Sequence, residues 1–302
     1  MARAVGISGP GGPEVLTVID REVREPGPGE VRIAVKAAAV NPTDIGLRNA
    51  GADTPPPWTP GMDAAGTIES VGEGVDRFIA GHEVMAVVTP RRPDGGAQAE
   101  LLVVEASSVV LIPSGTTFQQ AATLPMNGLT AMAGLDLIGL PPGATLGVTG
   151  GAGLLASYVI ALAHERAWRV LADAKPEDEA LVRGFGADVV VPRGEPFPEE
   201  VDAVFDTAML HAATFDAIRD GGTLVVVRGW QPEEPPPRGI EIQPVRVSTA
   251  LHRTDWLMEL RQLASEGRLA LRVAGEYPPE QAAEAQRVTD AGGIRGRALI
   301  VF

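Results

Sequence analysis

A β-branched run that stops in a glycine cluster and passes straight into a helical apolar pattern constrains this chain more than any other segment. It reads Gly147-Val148-Thr149-Gly150-Gly151-Ala152-Gly153-Leu154-Leu155-Ala156. In such a segment the strand delivers a turn, and the glycines let backbone approach a phosphate. The helix start then offers unpaired N–H groups and a positive dipole end to the anion. The spacing is Gly150-x-x-Gly153-x-x-Ala156, short of the three-glycine dinucleotide fingerprint. Alone it fits a pyrophosphate cradle and an ordinary glycine-rich turn equally well.

The flanking pattern separates the two readings. A helical stretch covers Gln119–Leu137, Pro142-Gly143 turns into the strand Thr145–Val148, and the glycine turn leads to a helix over Gly153–Glu165. The strand Trp168–Ala172, a helix over Glu177–Phe185, and the strands Val189–Val191 and Val201–Asp206 follow. A helix near His211–Arg219 then leads into the strand Thr223–Val227. Continuous apolar strands alternating with helices predict a parallel sheet covered on both faces, a doubly wound nucleotide-binding architecture.

Residues 1 to about 112 have a different texture. Val31–Ala37 alternates as a half-buried strand should, and turn clusters stand at Gly9–Pro13, Glu25–Gly29 and Gly72–Gly74. Gly81–Val88 and Leu101–Val104 add strands, which together predict a small barrel-like domain. The C-terminal part offers helices over Asp255–Glu266 and Pro279–Ala291 and a closing strand, Arg297–Val301. Gln231–Gly239, rich in Pro and Glu, reads as a surface loop or lid margin. A length of 302 residues suits two domains, at roughly 150 residues each.

Charge and composition exclude several functions. Lys and Arg number 25 against 39 Asp and Glu, a formal net charge of −14. An acidic surface repels nucleic acid and anionic membranes, so neither is an expected partner. No apolar run reaches the ~18–20 residues that span a bilayer, and no signal-peptide core is visible, so a cytoplasmic location is expected. The chain has no cysteine, which removes disulfides, thiolate nucleophiles and thiolate-bound zinc. Its four histidines, His82, His164, His211 and His252, are scattered, and no metal site is expected.

Several blocks, in order and spacing, resemble the medium-chain dehydrogenase/reductase superfamily, in its zinc-independent quinone oxidoreductase (zeta-crystallin-like) branch. They are Val40-Asn41-Pro42-Thr43-Asp44, the run Pro60–Gly72, Ala121–Ala131, the glycine turn, Gly186-Ala187-Asp188, Gly221–Val225 and Gly296–Val301. The resemblance implies an α/β fold: a GroES-like β-rich catalytic domain from both chain ends (1–118 and 248–302) around a Rossmann domain (119–247). It also implies NADPH-dependent hydride transfer to a small-molecule quinone or α,β-unsaturated carbonyl. Gly81-His82-Glu83 looks like the Gly-His-Glu of zinc relatives, but in register that triplet falls on Gly61-Met62-Asp63, and Met62 is no imidazole.

Site residues follow from the same alignment. Gly150 and Gly153 are expected to approach the pyrophosphate. Leu154 and Ala156 replace glycines common in relatives, so Leu154 must point its side chain away from the cofactor. After the second strand of the parallel sheet, an NAD site places a carboxylate on the ribose. Here the discriminating position is Ala174, followed by the cation Lys175, and Arg193 adds another charge, a set suited to the 2′-phosphate of NADP(H). Asp173 argues the other way. At the nicotinamide end the resemblance points to Asn41, Thr130, Thr207, Gly229 and Trp230; Asn41 also reads as a turn former, and Trp230 as a cover for apolar core. Asp44 is a candidate proton source or a helix cap. Tyr158 and Tyr277, the only tyrosines, are not placed for catalysis.

Three functions stay open at this point. They are a quinone or enone reductase, an enoyl reductase or tailoring enzyme of a polyketide-like pathway, and a cofactor-binding member of the family without turnover. The resemblance further implies a homodimer. Ile240–Val247 alternates like an edge strand, and Pro244 confines it to an edge.

Overall fold

The alternating segments and glycine turns of the first third of the chain form the strands expected of them. The computed structural model describes all 302 residues. In chain order the first elements are β1 (Ala2–Ile7), β2 (Leu16–Arg21), β3 (Glu30–Val40), α1 (Pro42–Ala50), β4 (Asp63–Val71), β5 (Glu83–Val87), β6 (Leu101–Glu105) and β7 (Val109–Leu111). Where one helix was expected over Gln119–Leu137 there are two, α2 (Phe118–Ala121) and α3 (Pro125–Ile138). Pro125 has no N–H to continue a helix but is well suited to start one, so the chain breaks before it.

Strands and helices then alternate: β8 (Thr145–Thr149), α4 (Leu154–Glu165), β9 (Arg169–Ala174), α5 (Glu179–Gly184), β10 (Val189–Pro192), β11 (Val201–Asp206), β12 (Ile218–Val226) and β13 (Glu241–Pro244). The chain closes with α6 (Thr254–Ser265), β14 (Val273–Tyr277), α7 (Ala282–Ala291) and β15 (Arg297–Val301). The helix expected near His211–Arg219 is a 3-10 helix, His211–Ala217. The link between β11 and β12 is too short for an α-helix with its two turns, and the tighter helix spans it. β13 is shorter than the expected Ile240–Val247; it ends at Pro244, which pairs with Val226 but has no N–H to donate.

Two compact units result. One holds Met1–Met126, Leu251–Glu266 and Leu271–Phe302; the other holds Asn127–Ala250 and Gly267–Ala270. In the first, β14-β15-β3-β4-β5-β7 form one sheet with β6 also paired to β3, and β1 pairs β2 separately. Ile33, Ile68, Val84 and Leu102 fill its core, as the alternation of their strands requires, and Phe78 joins them from the β4–β5 connection.

In the second unit six strands run parallel in the order β10-β9-β8-β11-β12-β13. The chain leaves β8 toward one side of the sheet and β11 toward the other. Their carboxyl ends therefore make the topological switch point where open α/β sheets bind ligands. The fold is α/β, as the sequence predicts. No helix is long and apolar enough to cross a membrane.

Helix α3 is apolar on all sides and lies close to this sheet. A Cβ added at Gly134 would stand 2.2 Å from Cε2 of Phe205, a fully buried residue of β11. Gly134→Ala is therefore expected to lower the unfolding free energy by about 1–3 kcal/mol through overpacking. Gly184→Ala, where the added Cβ meets nothing within 4 Å, is expected to be neutral or stabilising. Denaturant titration of both variants checks this, and equal effects would contradict the close approach of α3.

Candidate cofactor and active sites

The glycine turn has the backbone that a phosphate cradle needs. Gly150 is left-handed (φ 67°), and Gly153 is extended as the N-cap of α4. The Gly153 N–H donates back to the Gly150 carbonyl at 2.8 Å, which folds the loop tightly. A Cβ on Gly151 would stand 2.8 Å from the carbonyl oxygen of Asp173, so a side chain there would push the turn off β9. No side chain caps α4, and its first-turn N–H groups point at whatever occupies the turn. Leu154 and Ala156 are buried in the helix packing, so Leu154 offers only backbone to a ligand. The residues present fit a pyrophosphate.

Beside the turn, Asp173 is already engaged. Its Oδ1 accepts the Gly150 N–H, and its Oδ2 lies 3.5 Å from Nε of Arg193. Arg193 stands just past β10, its N–H donating to the Ala174 carbonyl at 2.8 Å, so it flanks the end of β9. Lys175 follows Ala174, half-exposed, its Nζ 3.9 Å from Glu177. The structure thus brings Gly150 and Arg193 onto one carboxylate; Gly153 and Leu154 follow in the same turn, and Lys175 lies two residues beyond the acid with its ammonium toward Glu177. That carboxylate shapes the turn from within.

At the switch point β8 and β11 are tied by their side chains. The Thr149 hydroxyl donates to Asp206 Oδ1 (2.6 Å) and accepts the Ala208 N–H (3.0 Å), while the Thr207 hydroxyl donates to the Thr149 carbonyl (2.6 Å). Asp206, fully buried, also accepts the His211 N–H at 2.7 Å. Left-handed backbone at Met209, His211 and Arg228, none of them glycine, gathers with Gly229 at the carboxyl ends of β11 and β12. Strain of this kind costs of order 1 kcal/mol or more per residue and collects at ligand sites. Trp230 packs on the apolar cluster containing Leu224, Val226 and Ile240, and its ring stacks on His211 with centroids 4.6 Å apart. The His211 partner is not legible in the sequence, because the contact joins two separate loops.

The other unit carries a buried polar network. Asn41 and Asp44 form a capping box at the start of α1: Asp44 Oδ2 accepts the Asn41 N–H (2.8 Å) and Oδ1 accepts the Gly61 N–H (2.7 Å). The Asn41 carboxamide donates through Nδ2 to Asp63 Oδ2 at 2.6 Å, and Asp63 Oδ1 accepts the Met126 N–H at 2.5 Å. Gln98 donates to the Ala39 carbonyl (3.2 Å) and more weakly to Asp44 (3.4 Å). Asn41, Asp44 and Asp63 are each 0% exposed. Asp63 has no role in the sequence reading; its signal was a lone acid opening the small apolar run Ala64-Ala65-Gly66. Thr130 lies in the other unit, buried along α3.

Desolvation dominates both carboxylates, pushing Asp44 up to about 6 and Asp63 up to about 7; backbone hydrogen bonds and the Arg297 guanidinium pull back against it.

Residues 27–114 match the family described as "Alcohol dehydrogenase GroES-like domain", and residues 178–300 match "Zinc-binding dehydrogenase". The chain is 35% identical over 236 residues to the NADPH-dependent alkenal/one oxidoreductase, chloroplastic, of Arabidopsis thaliana, covering 72% of this chain and 60% of that protein. It is 35% identical over 195 residues to a quinone oxidoreductase of Pseudomonas aeruginosa, covering 62% of this chain and 57% of the relative. The chain therefore spans less than two thirds of these curated relatives. A mycobacterial structure complexed with NADPH superposes with a TM-score of 0.86 at 25% identity, over 100% of both chains.

The two raised carboxylates set the pH dependence of stability. Above pH ~5.5, carboxylates held low in the fold are ionised in both states, such as Glu30, which Arg24 holds down to about 2. Asp44 and Asp63 keep protons in the native state that the unfolded chain releases, so stability falls as pH rises through about 6 and about 7. Unfolding free energies measured from pH ~5.5 to ~7.5 are expected to decline. A rise over that window contradicts the burial of these groups.

Proposed function

We propose that this chain, which belongs to the medium-chain dehydrogenase/reductase superfamily, is an NADPH-dependent reductase of quinones or α,β-unsaturated carbonyls that works without zinc. The observation that carries the reading is the glycine turn whose neighbouring acid, Asp173, is engaged by Gly150 and by Arg193, with a second cation, Lys175, two residues further along the chain. Backbone N–H groups in the first turn of α4, from Leu154 on, hold the pyrophosphate in this account, and the glycines of Gly150–Gly153, whose own N–H groups are largely engaged within the turn, let it approach. Lys175 and Arg193 hold the 2′-phosphate, which makes the cofactor NADP(H).

Bound NADPH supplies the hydride. Thr207 and Gly229 border the nicotinamide, with Trp230 behind them on its His211 stack. Thr130 belongs to that end of the site by analogy with the family, which also gives Asn41 a role in the reaction. Asp44 fixes Asn41 through the helix cap and, being buried, serves as a support, while water supplies the proton. A reduced quinone anion takes its proton from water without a dedicated acid, and neither tyrosine is needed; Tyr158 is fully buried. Freedom from zinc is supported by the donor set: there is no cysteine, and no three His, Asp or Glu side chains gather in metal-binding geometry.

Quinone and enone acceptors both remain within this reading, the latter favoured by the identity to the alkenal/one oxidoreductase. The open edge of β13 is the proposed seat of a homodimer.

Steady-state NADPH oxidation with a benzoquinone and with an alkenone tests the activity. Lys175→Ala and Arg193→Ala are each expected to raise KM for NADPH about tenfold, ~1.4 kcal/mol, and KM for NADH less than about twofold. Equal effects on the two cofactors would remove these residues from the 2′-phosphate site. Tight NADPH binding with no turnover of either acceptor would make the chain a cofactor-binding protein without activity.

A further inference from the structure

We propose that the first unit carries a second ligand site, built for a free zwitterionic α-amino acid with an apolar side chain. The site is a pocket of about 360 Å³ between the turn before β5, the chain that follows β7, and α6. That volume lies within the range of small-molecule sites. None of its residues belongs to the glycine turn or to the Asn41 network.

The pocket is lined by a cation and an anion that do not meet. Arg261 of α6 uses its Nε on the Ile112 carbonyl at 3.2 Å, and its two terminal nitrogens have no partner. Glu83, which opens β5, lines the same pocket with a carboxylate that bonds to nothing. One residue holds both of them in place: Ile112 accepts from Arg261 and donates its own N–H to the Glu83 carbonyl at 3.1 Å. No ion pair joins the two charges, although they are tethered to the same residue. A ligand that carries one charge of each sign satisfies both. A simple anion would gain Arg261 and meet the repulsion of Glu83, and a simple cation would meet the reverse.

The remaining lining suits the rest of an amino acid. Leu111, 39% exposed, forms an apolar wall with Ile112 and Pro113. His82 adds a polar edge. Its Nδ1 is buried without a partner, which leaves Nε2 as the ring nitrogen able to serve a ligand. The Arg261 fork matches a carboxylate bidentately, and Glu83 accepts from the ammonium.

The frame is fixed before a ligand arrives. Ser265 Oγ, one turn along α6, donates to the Arg261 carbonyl at 2.8 Å and accepts the Ser114 N–H at 3.0 Å, which ties the helix to the chain after β7. The Thr116 N–H closes the turn onto the Pro113 carbonyl at 3.3 Å, with Gly115 left-handed at φ 76°. Groups held in this way need little ordering when a ligand binds.

Saturation-transfer NMR on the full chain, with L-leucine as the probe, tests the site. L-leucine is expected to bind with a Kd of ~1 mM or below. N-acetyl-L-leucine lacks the ammonium and L-leucinamide lacks the carboxylate, and each is expected to bind at least about tenfold more weakly. Arg261→Gln and Glu83→Gln are each expected to weaken L-leucine by a similar factor. Glu83→Gln keeps the bond to Ile112, which runs through the backbone, so it remains decisive if Arg261→Gln disturbs α6.

Absence of binding to the native chain at ~10 mM L-leucine overturns the proposal. Unchanged affinity in Glu83→Gln also overturns it. Equal binding of N-acetyl-L-leucine makes the pocket a plain anion site, and equal binding of L-leucinamide a plain cation site, and either defeats the zwitterion assignment. The readout is binding alone, so the result stands apart from the reductase reading.

Discussion

Aspartate carboxylates holding stray backbone N–H groups are the interaction on which both units depend. Strands that give way to turns leave donors without ladder partners, and a buried orphan is expensive. In the parallel unit Asp173 takes the Gly150 N–H, and Asp188 takes that of Val170, Asp202 that of Thr145 and Asp206 that of His211. In the other unit Asp44 takes Gly61 and Asp63 takes Met126. Hydrogen bonds to a charged acceptor are roughly twice as strong as neutral ones, so each holds a loop end where a medium-strength contact would let it fray. The acidic excess of the sequence is in part this internal set, and only in part a solubility device.

The same interaction explains how an imperfect glycine motif still forms a cradle. With Leu154 and Ala156 in place of glycines, the turn relies on Gly150 and Gly153 for shape and on Asp173 for support from β9. The leucine side chain goes into the core, where its burial adds to helix packing. What the turn presents outward is backbone alone, which suits an anion, and the flanking cations supply charge in a chain that is otherwise negative. Identity of 35% to an NADPH-dependent alkenal/one oxidoreductase agrees with that chemistry without fixing the acceptor.

The parallel sheet and the glycine turn were legible because local pattern dictates them: short continuous apolar runs for strands buried on both faces, helices between them, and a glycine where φ turns positive. Two local features modify that pattern. Pro125 splits the helix after Gln119, and the short link before Ile218 tightens to a 3-10 helix. The contacts that sharpen the site are of another kind. Asp63 meets Asn41 across 22 positions, and Thr149 meets Asp206 across 57, so no window of sequence contains both partners. Asp173 shows the limit most clearly: its position just before Ala174 suggested a ribose ligand, and only the fold reveals that Gly150 occupies it.

The measurement that bears most directly on the account is calorimetric titration of Asp173→Ala with NADPH and with NADH. If Asp173 acts by holding the glycine turn, both dissociation constants rise by a similar factor of about ten, ~1.4 kcal/mol, because the pyrophosphate is common to both cofactors. If NADH binding alone is lost while NADPH binds as before or more tightly, Asp173 is a ribose ligand, and the cradle described above is wrong.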